Sequence, residues 1–207
     1  MITIVDYKAG NLTSVQLAFE HIGAEVRVTD RPEDITCAER VVFPGVGAAR
    51  SAMQNLRQLD LIEPLRKVIS KGIPFLGICI GMQLLFDSTE EDGGTECLGF
   101  LPGQVKKFTP PLQTCKIPQM GWNAVKQAGE HPLFEGVEDK SEFYFVHSYY
   151  PSPDDNDMII GQTDYAGVVF ASAAGVGNIA AMQFHPERSG RIGLKVLENF
   201  CSWDGKC

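Results

Sequence analysis

Short apolar runs alternate with helical apolar stripes through the first ninety residues. Four runs have the length and composition of strands and cover residues 2–5, 24–28, 40–43 and 73–78. Three stretches between them carry apolar side chains at intervals of three and four, which predicts helices over residues 15–22, 48–59 and 61–70. The run at 73–78 is almost uniformly apolar, as expected of a strand that is covered on both faces. This alternation predicts an α/β fold with a doubly wound, mostly parallel central sheet.

The second half of the chain changes character. Short strand patterns separated by Pro, Gly and Asp turns cover residues 143–149, 158–163, 168–171 and 179–183. They predict an antiparallel extension of the sheet or a small β-layer on it. Apolar residues at 192, 196, 197 and 200 then predict a closing helix. Because a chain of 207 residues is short for two cores and shows no repeat or linker, residues 1–207 are predicted to form one domain.

The charge and hydropathy patterns disfavour several kinds of partner. The formal net charge is −8, and the Lys and Arg residues are scattered, so a nucleic-acid partner is not expected. No apolar run approaches the roughly 20 residues that span a bilayer, and the first residues lack the basic and apolar regions of a signal peptide. The sequence therefore predicts a cytoplasmic protein that binds neither nucleic acid nor membrane.

The cysteines and histidines argue against a metal site or a disulfide framework. The six cysteines are dispersed and include no Cys-x-x-Cys pair; they stand at positions 37, 79, 97, 115, 201 and 207. All except Cys79 are interpreted as buried or unreactive thiols of a reducing compartment. His21 and His131 are interpreted as surface or structural residues, and no histidine has further ligands at metal-binding spacing. Neither a metal nor another cofactor is predicted.

The candidate chemistry begins at Cys79. It follows the apolar strand at 73–78 and precedes a helical pattern, and glycines stand two residues before and after it, at Gly77 and Gly81. A residue at such a strand-to-helix corner lies in a tight turn, which small neighbours relieve. The corner exposes the sulfur beside backbone N–H groups, which favour a negatively charged sulfur and hold an oxyanion. We interpret Cys79 as a nucleophile; the alternative is a buried cysteine with incidental glycines.

A histidine and a glutamate late in the chain provide a base and an orienting acid. His185 and Glu187 lie within Phe-His-Pro-Glu at residues 184–187, directly after the last predicted strand. A carboxylate this close accepts the second N–H of the imidazole and defines its tautomer. His185 then takes the thiol proton and later returns one to a leaving amine. In α/β-hydrolases the acid precedes the histidine, so the order of these residues argues against that fold.

Three segments resemble the signature motifs of class I, triad-type glutamine amidotransferases. They are Pro-Gly-Val-Gly at residues 44–47, Gly-Ile-Cys-Ile-Gly-Met-Gln at 77–83 and Phe-His-Pro-Glu at 184–187. Other segments resemble one branch of that family, the glutaminase subunits of imidazole glycerol phosphate synthases in histidine biosynthesis. These segments cover residues 6–12, Pro-Gln-Met-Gly-Trp-Asn at 118–123 and Tyr-Phe-Val-His-Ser-Tyr at 144–149. The resemblance extends over nearly the whole chain.

The resemblance implies a flavodoxin-like fold and the hydrolysis of L-glutamine to L-glutamate and ammonia. Cys79 would attack the side-chain amide, ammonia would leave, and water would hydrolyse the glutamyl thioester. The implied oxyanion donors are the backbone N–H groups of Ile80, Val46 and Gly47. A glycine-rich segment suits a peptide that must reorient, because glycine tolerates positive φ.

The same resemblance implies the residues that bind the substrate. They are Gln83 and Glu91, with backbone groups around Ser148 and Tyr149. Gln83 stands one turn after the candidate nucleophile, on the same face of the predicted helix. Glu91 suits the α-amino group of the substrate, but Glu90 beside it leaves the alignment open by one residue. The alternative for both glutamates is a solvated acidic loop.

The resemblance further implies a heterodimer with a (β/α)8-barrel cyclase subunit that receives the ammonia. The implied interface residues are Asn11, Met120, Trp122, Asn123 and Arg188. Tryptophan and methionine anchor interfaces, although a tryptophan in a glycine-rich turn packs into the core more often. The family commonly has lysine directly after the catalytic glutamate, whereas this chain has Arg188. The guanidinium of arginine pairs with a carboxylate in a different geometry from the ammonium of lysine.

Three alternative functions stay open on the sequence. Glutaminases that serve anthranilate, aminodeoxychorismate, pyridoxal phosphate or GMP synthesis share the triad motifs, but the segments at 7–12 and 118–123 argue against them. A stress-type or peptidase-like cysteine hydrolase shares the exposed thiol but is not expected to pair it with a His-x-Glu arrangement. A non-catalytic interaction subunit would not require Cys79, His185 and Glu187 to be intact.

Overall fold

The predicted alternation of strands and helices is present in the first half of the chain. In the computed structural model, residues 1–109 and 115–206 are described, so Cys207 lies outside the described residues. The first half comprises β1 (Ile2–Val5), α1 (Leu12–His21), β2 (Val26–Thr29), α2 (Pro32–Thr36), β3 (Val41–Gly45), α3 (Ala49–Gln58), α4 (Ile62–Ser70), β4 (Phe75–Cys79) and α5 (Ile80–Gln83). Only α2 was not predicted, because a helix of five residues with one buried side chain, Ile35, has no apolar period to detect.

The second half consists mainly of short strands. They are β5 (Ser88–Thr89), β6 (Thr95–Glu96), β7 (Gly103–Lys107), β8 (Gln119–Ala124), β9 (Lys126–Gln127), β10 (Glu142–His147), β11 (Tyr149–Pro153), β12 (Ile159–Tyr165), β13 (Val168–Val176) and β14 (Ile179–Met182). The helix α6 (Gly190–Ser202) follows, and single turns of 310 helix cover Glu91–Gly93, Pro132–Phe134, Asn156–Met158 and Pro186–Arg188. Three of the four predicted strands and the closing helix are present, and the fourth, at residues 143–149, is divided in two. The strands β7 and β8 were not predicted, and the two-residue strands were too short to predict.

The central sheet has eight strands in the order β2-β1-β3-β4-β14-β13-β12-β9. The strands from β2 to β14 are parallel, and β13, β12 and β9 extend the sheet in antiparallel fashion. A four-stranded sheet, β11-β7-β5-β6, and a two-stranded sheet, β10-β8, lie outside it. The predicted fold class is confirmed, and the second half forms both an extension of the sheet and separate β-layers.

One predicted strand proves to be two. Residues 143–149 form β10 as far as His147 and then β11 from Tyr149, and the two strands pair with different sheets. The prediction of one continuous strand was wrong because an extended apolar pattern carries no information about pairing partners. The break falls at Ser148 and turns the backbone of Ser148 and Tyr149 toward the carboxyl end of β4, where both residues line a pocket.

Helices cover both faces of the sheet. Successive side chains of a buried strand point to opposite faces, so Ile4 and Val5 of β1 belong to different apolar layers. One layer packs against α2, α3 and α4, and the other against α1 and α6. This arrangement brings the carboxyl ends of β1, β3 and β4 together at one edge of the sheet, which is where ligands bind in open α/β folds.

No helix in the described part of the chain is both long enough and apolar enough to cross a membrane. The five cysteines within residues 1–109 and 115–206 are all free thiols. Cys97 is buried, and burial is the chief cause that raises the pKa of its thiol to about 12. Such a thiol is unreactive at neutral pH, in agreement with the interpretation made from the sequence.

Candidate active site

Cys79 lies at a strained corner between β4 and α5. Its backbone has φ 55° and ψ −111°, a region that residues with a side chain rarely adopt. The next residue, Ile80, begins α5, so the sulfur is placed at the carboxyl edge of the sheet. The corner expected from the sequence is present. The helix after it is shorter than its apolar pattern indicates, because α5 ends at Gln83.

The two glycines beside Cys79 are required by close packing. A Cβ atom at Gly81 would overlap the carbonyl oxygen of Phe43 in β3. A Cβ atom at Gly77 would lie 2.9 Å from Leu85 Cδ1 and 3.1 Å from the carbonyl oxygen of Gly81. Both distances are shorter than ordinary van der Waals contacts. The glycines therefore allow α5 to pack directly on the strands that carry the nucleophile.

His185 and Glu187 form a buried pair beside the end of β4. They follow β14, whose Met182 pairs with Ile78 of β4, so the histidine and the cysteine leave adjacent parallel strands at the same edge. His185 Nδ1 lies 2.8 Å from Glu187 Oε1, and both side chains are at most 3% exposed. Because the carboxylate only accepts, Nδ1 carries a proton, and Nε2 is the ring nitrogen that faces Cys79.

The environment of His185 favours its protonated form. Burial lowers the pKa of His185, but its interactions with Cys79 and Glu187 outweigh burial and raise the pKa to about 10. Nε2 makes no hydrogen bond of standard geometry within the described residues, so the contact with the sulfur is loose. The contribution of this protonation to stability is complete below the ordinary imidazole pKa of about 6.5 and is lost as the pH rises through about 10.

The substitution Glu187→Gln tests the cause of this shift. The amide keeps a hydrogen-bond acceptor for Nδ1–H but removes the negative charge, so we expect the pKa of His185 to fall from about 10. Titration of the His185 ring signals by NMR measures the change. Glu198→Gln is the control, because that glutamate is exposed and pairs with Lys195 at the surface. An unchanged titration in Glu187→Gln would show that Glu187 does not raise the pKa.

A pocket of about 290 Å³ opens beside Cys79. It is lined by Val46, Gly47, Cys79, Ile80, Gln83, Glu91, Pro118, Val146, His147, Ser148 and Tyr149. All the residues predicted to bind substrate or to stabilise an oxyanion therefore line one cavity with the candidate nucleophile. His185 is not among them; it lines a narrow adjacent space together with Asn11, Val46 and Glu187.

The structure distinguishes between the two adjacent glutamates. Glu91 lines the pocket, and its Oε2 accepts the backbone N–H of Ala49 at 2.7 Å, where α3 begins. Burial raises the pKa of Glu91, the Ala49 N–H opposes this, and Asp92 adds to it. Glu90 instead accepts the backbone N–H of Lys107 and lines a different cavity. Glu91 is held in place at the pocket, so the alternative of a solvated acidic loop does not describe it.

The backbone near Cys79 offers the predicted oxyanion donors unequally. Ile80 is the first residue of α5, and the N–H groups of a first helical turn have no intrahelical acceptor. Gly47 has φ 100° and lines the pocket. The N–H of Val46, however, donates to the carbonyl oxygen of Ala9 at 2.8 Å. In this conformation Val46 is therefore not a free donor, and the prediction for it requires that this peptide reorient.

Two buried polar residues near Cys79 were not predicted. Gln183 is fully buried in the segment after β14, and its Nε2 lies 3.7 Å from the sulfur of Cys79. His147 is buried at the pocket; Nδ1 lies 2.7 Å from the carbonyl oxygen of Tyr149, and Nε2 lies 3.0 Å from the side-chain amide of Gln119. A polar residue within an otherwise apolar strand pattern was the available signal for each.

The histidines other than His185 have structural positions. Burial is the main cause that lowers the pKa of His147 to about 4, so it is neutral and joins the pocket backbone to β8. His131 is also buried, and its Nδ1 accepts the backbone N–H of Leu133. His21 lies exposed at the end of α1. Among residues 1–109 and 115–206, no three His, Cys, Asp or Glu side chains are grouped so that they could hold a metal ion.

An exposed apolar face lies next to the candidate triad. Met120 and Trp122 of β8 are 65% and 55% exposed and point to the same side of the strand, so the alternative of core packing is wrong. The rings of Trp122 and Tyr144 meet edge-on, with their centroids 6.2 Å apart. The guanidinium of Arg188 lies over the Tyr144 ring, 4.7 Å from its centroid. The carbonyl oxygen of Tyr144 accepts the N–H of His185, which connects this face to the triad.

The two predicted interface asparagines differ in their freedom. Asn11 is exposed at the start of α1 with φ 56°, and its Oδ1 accepts the hydroxyl of Ser14 at 2.8 Å. The Asn123 side chain is engaged within the chain, because its Nδ2 donates to the carbonyl oxygen of Asp164 at 2.9 Å. Asn123 therefore holds β8 to β12, and its side chain is less free than Asn11 to contact a partner.

Comparison of the sequence with known proteins identifies its relatives. Residues 3–202 match the family model described as glutamine amidotransferase class-I. A protein of Dehalococcoides mccartyi (strain CBDB1), named imidazole glycerol phosphate synthase subunit HisH, is 50% identical over 200 residues, which cover 97% of this chain and 96% of the relative. A protein of the same name from Pseudomonas syringae pv. syringae (strain B728a) is 46% identical over 210 residues, which cover 99% of this chain and 98% of the relative.

Solved structures share the fold at low sequence identity. A structure titled crystal structure of glutamine amidotransferase has a TM-score of 0.73 and 17% identity, covering 99% of this chain and all of the other. The structure of PurLQS from Thermotoga maritima also has a TM-score of 0.73, with 19% identity and 97% coverage of each chain. These similarities establish the α/β architecture of the chain.

Proposed function

The chain belongs to the class I glutamine amidotransferase family, and we propose that it acts as the glutaminase subunit of an imidazole glycerol phosphate synthase. It is an enzyme that hydrolyses glutamine. The observation that supports the proposed chemistry best is the position of Cys79, which faces the buried His185–Glu187 pair and lines a pocket with Gln83 and Glu91. Nucleophile, acid–base group and substrate-binding groups are thus within one site.

The first half of the proposed reaction forms a thioester. The sulfur of Cys79 attacks the side-chain carbonyl carbon of glutamine, and a tetrahedral oxyanion forms at the former carbonyl oxygen. The N–H of Ile80 would donate to that oxygen, joined by the N–H of Gly47 or Val46 after the peptide reorients. The carbon–nitrogen bond then breaks. Because amide nitrogen is a poor leaving group, it must receive a proton, and His185, protonated at neutral pH, provides it.

The second half of the reaction restores the cysteine. A water molecule gives a proton to the now neutral His185 and attacks the thioester carbon, and the carbon–sulfur bond breaks to release glutamate. The sulfur returns to its charged form beside protonated His185. The net change is glutamine plus water to glutamate plus ammonia. Glu187 keeps the imidazole in one orientation throughout, since its contact with Nδ1 is 2.8 Å long and buried.

The substrate would be held at both ends of its side chain. Glu91 places a carboxylate at the pocket, where it suits the ammonium group of the substrate. The backbone of Ser148 and Tyr149 lines the same wall because the chain changes sheets at this point. Gln83 uses its Nε2 for contacts within the protein, so its Oε1 is the atom that remains to accept a hydrogen bond from the substrate.

We further propose a heterodimer with a (β/α)8-barrel cyclase, which uses the ammonia to form imidazole glycerol phosphate and AICAR in L-histidine biosynthesis. The proposed contact surface is the exposed face of Met120 and Trp122, with Arg188 beside it and Asn11 at the start of α1. An exposed tryptophan next to a stacked guanidinium is typical of interface anchors. A cytoplasmic location is proposed with it, because free thiols are typical of a reducing compartment.

The relatives favour this role over the other amidotransferase pathways. The proteins that are 46% and 50% identical to this chain are both named imidazole glycerol phosphate synthase subunit HisH. The neighbours whose titles name other pathways, such as a GMP synthase subunit, are below 20% identical. Identity below 20% supports a common fold without a common substrate.

Glutamate release measures the proposed function directly. We expect slow hydrolysis of glutamine by the chain alone, faster hydrolysis with the cyclase, and the fastest hydrolysis with cyclase and its nucleotide substrate, because a reoriented Val46 peptide would complete the oxyanion site. An enzymatic glutamate assay under these three conditions provides the comparison. Absence of glutamate in all three would contradict the proposal, whereas equal rates would contradict activation by the partner only.

A further inference from the structure

We propose that Gln183 is a positioning residue that presents a side-chain N–H to the sulfur of Cys79 and stabilises its negatively charged form. The inference rests on the proposed role of Cys79 as nucleophile. Gln183 is fully buried, and its Nε2 lies 3.7 Å from the sulfur, within the range of an N–H···S hydrogen bond. The residue stands two positions before His185, so one segment would supply two groups that face the sulfur.

The direction of this hydrogen bond follows from a row of contacts that begins at the carbonyl oxygen of Tyr149 and passes through Gln83 to Gln183. The carbonyl oxygen of Tyr149 can only accept, and it lies 3.0 Å from Gln83 Nε2, so the amide nitrogen of Gln83 must face it. The same nitrogen lies 2.8 Å from Gln183 Oε1 and donates its second hydrogen there. The amide nitrogen of Gln183 is then the atom left to face Cys79, and it donates.

The surroundings leave these amides little freedom to turn. Gln83 is 3% exposed and Gln183 is fully buried, so neither has water as an alternative partner. The backbone N–H of Gln183 donates to the carbonyl oxygen of Ser172 at 2.9 Å, which holds the segment against β13. A reversed amide at Gln183 would place two N–H donors against each other at Gln83 and an oxygen, which can only accept, against the sulfur. Such unpaired buried groups are costly, so the donating orientation is favoured.

Several titratable groups surround the sulfur, and they act in different directions. His185 is the cation beside it, with Glu187 behind. Tyr7 is fully buried, and both its burial and the charge on Cys79 raise the pKa of its phenol, so it is neutral. His147 is neutral for the reason given above, and Glu91 lines the same pocket. The carbonyl oxygen of Val146 also lies 4.0 Å from the sulfur and opposes a negative charge there. An N–H from Gln183 would offset this unfavourable carbonyl.

A donor of this kind is expected to affect the charged sulfur more than the neutral thiol. A hydrogen bond to a charged acceptor is stronger than one to a neutral acceptor. The difference in free energy is about that of one pKa unit. Removing the N–H should therefore move the pH midpoint of alkylation at Cys79 upward by about one unit, and below the midpoint the alkylation rate should fall about tenfold. A residue that only fills space in the core would leave this midpoint unchanged.

The test is the pH dependence of alkylation by chloroacetamide, with the modified peptide quantified by mass spectrometry in the full-length protein. Gln183→Leu removes the donor at similar volume, and Gln183→Glu keeps the shape but can place a negative charge beside the sulfur. We expect the midpoint for Cys79 to rise by about one unit in the first variant and further in the second. Cys37, which is exposed, is the internal reference in every sample.

The control variant is Ser172→Ala, which removes a buried hydroxyl that has no partner among the described residues and leaves the carbonyl that holds Gln183. Its midpoint should equal that of the unmodified chain. An unchanged midpoint in Gln183→Leu would overturn the proposal, and so would a lower midpoint in Gln183→Glu. Should Gln183→Leu fail to fold by circular dichroism, Gln183→Met replaces it. If Cys79→Ala retains full glutaminase activity, the proposed function fails separately, whatever the midpoints are.

Discussion

The Cys79→Ala protein, assembled with the proposed cyclase partner, should lose glutamine hydrolysis by roughly a thousandfold or more. Cys79 is the only cysteine among the residues that line the pocket, and His147 already makes contacts through both ring nitrogens. Water attack on the amide would remain, helped only by the oxyanion donors. Glutamate release under saturating glutamine is the measurement.

The same complex provides its own control for correct assembly. Ammonia supplied from solution bypasses the glutaminase, so imidazole glycerol phosphate synthesis from ammonium salts should be unaffected in Cys79→Ala. Cys37→Ala is the matched thiol variant, because Cys37 is exposed and lies outside the pocket. Its glutaminase activity should match that of the unmodified chain. If Cys79→Ala retained most of the activity, Cys79 would not be the nucleophile.

The Trp122→Ala protein should bind the cyclase roughly thirtyfold more weakly, or worse, which corresponds to about 2 kcal/mol. Trp122 is 55% exposed and packs against the ring of Tyr144, over which the Arg188 guanidinium is stacked. Truncation would therefore remove the largest apolar side chain of the face and also the support of the stacked pair. Titration calorimetry with the purified cyclase measures the change in Kd.

The control for this experiment is an exposed apolar residue elsewhere on the sheet. Val176 is 45% exposed and pairs with Ile179, which lies opposite Phe75 at the start of β4. The candidate site is at the other end of β4, so Val176→Ala should leave the Kd unchanged. Equal affinity of Trp122→Ala and the unmodified chain would place the cyclase on another surface. Thermal unfolding of both variants alone would show that the free subunit is intact.

The strands and helices of the first half could be predicted because their signals are local. Apolar residues recur at every second position in a half-buried strand and at every third or fourth position in a helix, because one face of the element is buried. Each pattern is complete within a short segment of the chain. The corner at Cys79 was predictable for the same reason, since a buried strand, two glycines and a helical pattern stand within a dozen residues. The helix α2 and the two-residue strands are shorter than any such period, and β7 and β8 of the second half lack a clear apolar alternation.

Other features depend on pairs of segments that are far apart in the chain. The break at Ser148 follows from the pairing of β10 with β8 and of β11 with β7, and one pattern of extended residues fits either partner. The exposure of Trp122 is likewise set by the face of β8 that the rest of the fold covers. Composition favoured the core for this residue, and the packing places it at the surface.

The residues proposed as the triad could be named from the sequence, because the candidate nucleophile, base and acid each lie in short motifs with their own turn or strand context. The tertiary structure decided the relations among those motifs. It places Glu91 rather than Glu90 at the pocket, engages the Val46 N–H with Ala9, and brings Gln183 to the sulfur of Cys79. Each of these contacts joins residues brought together only when strands pair and loops pack. Local sequence signals do not contain the geometry of such contacts.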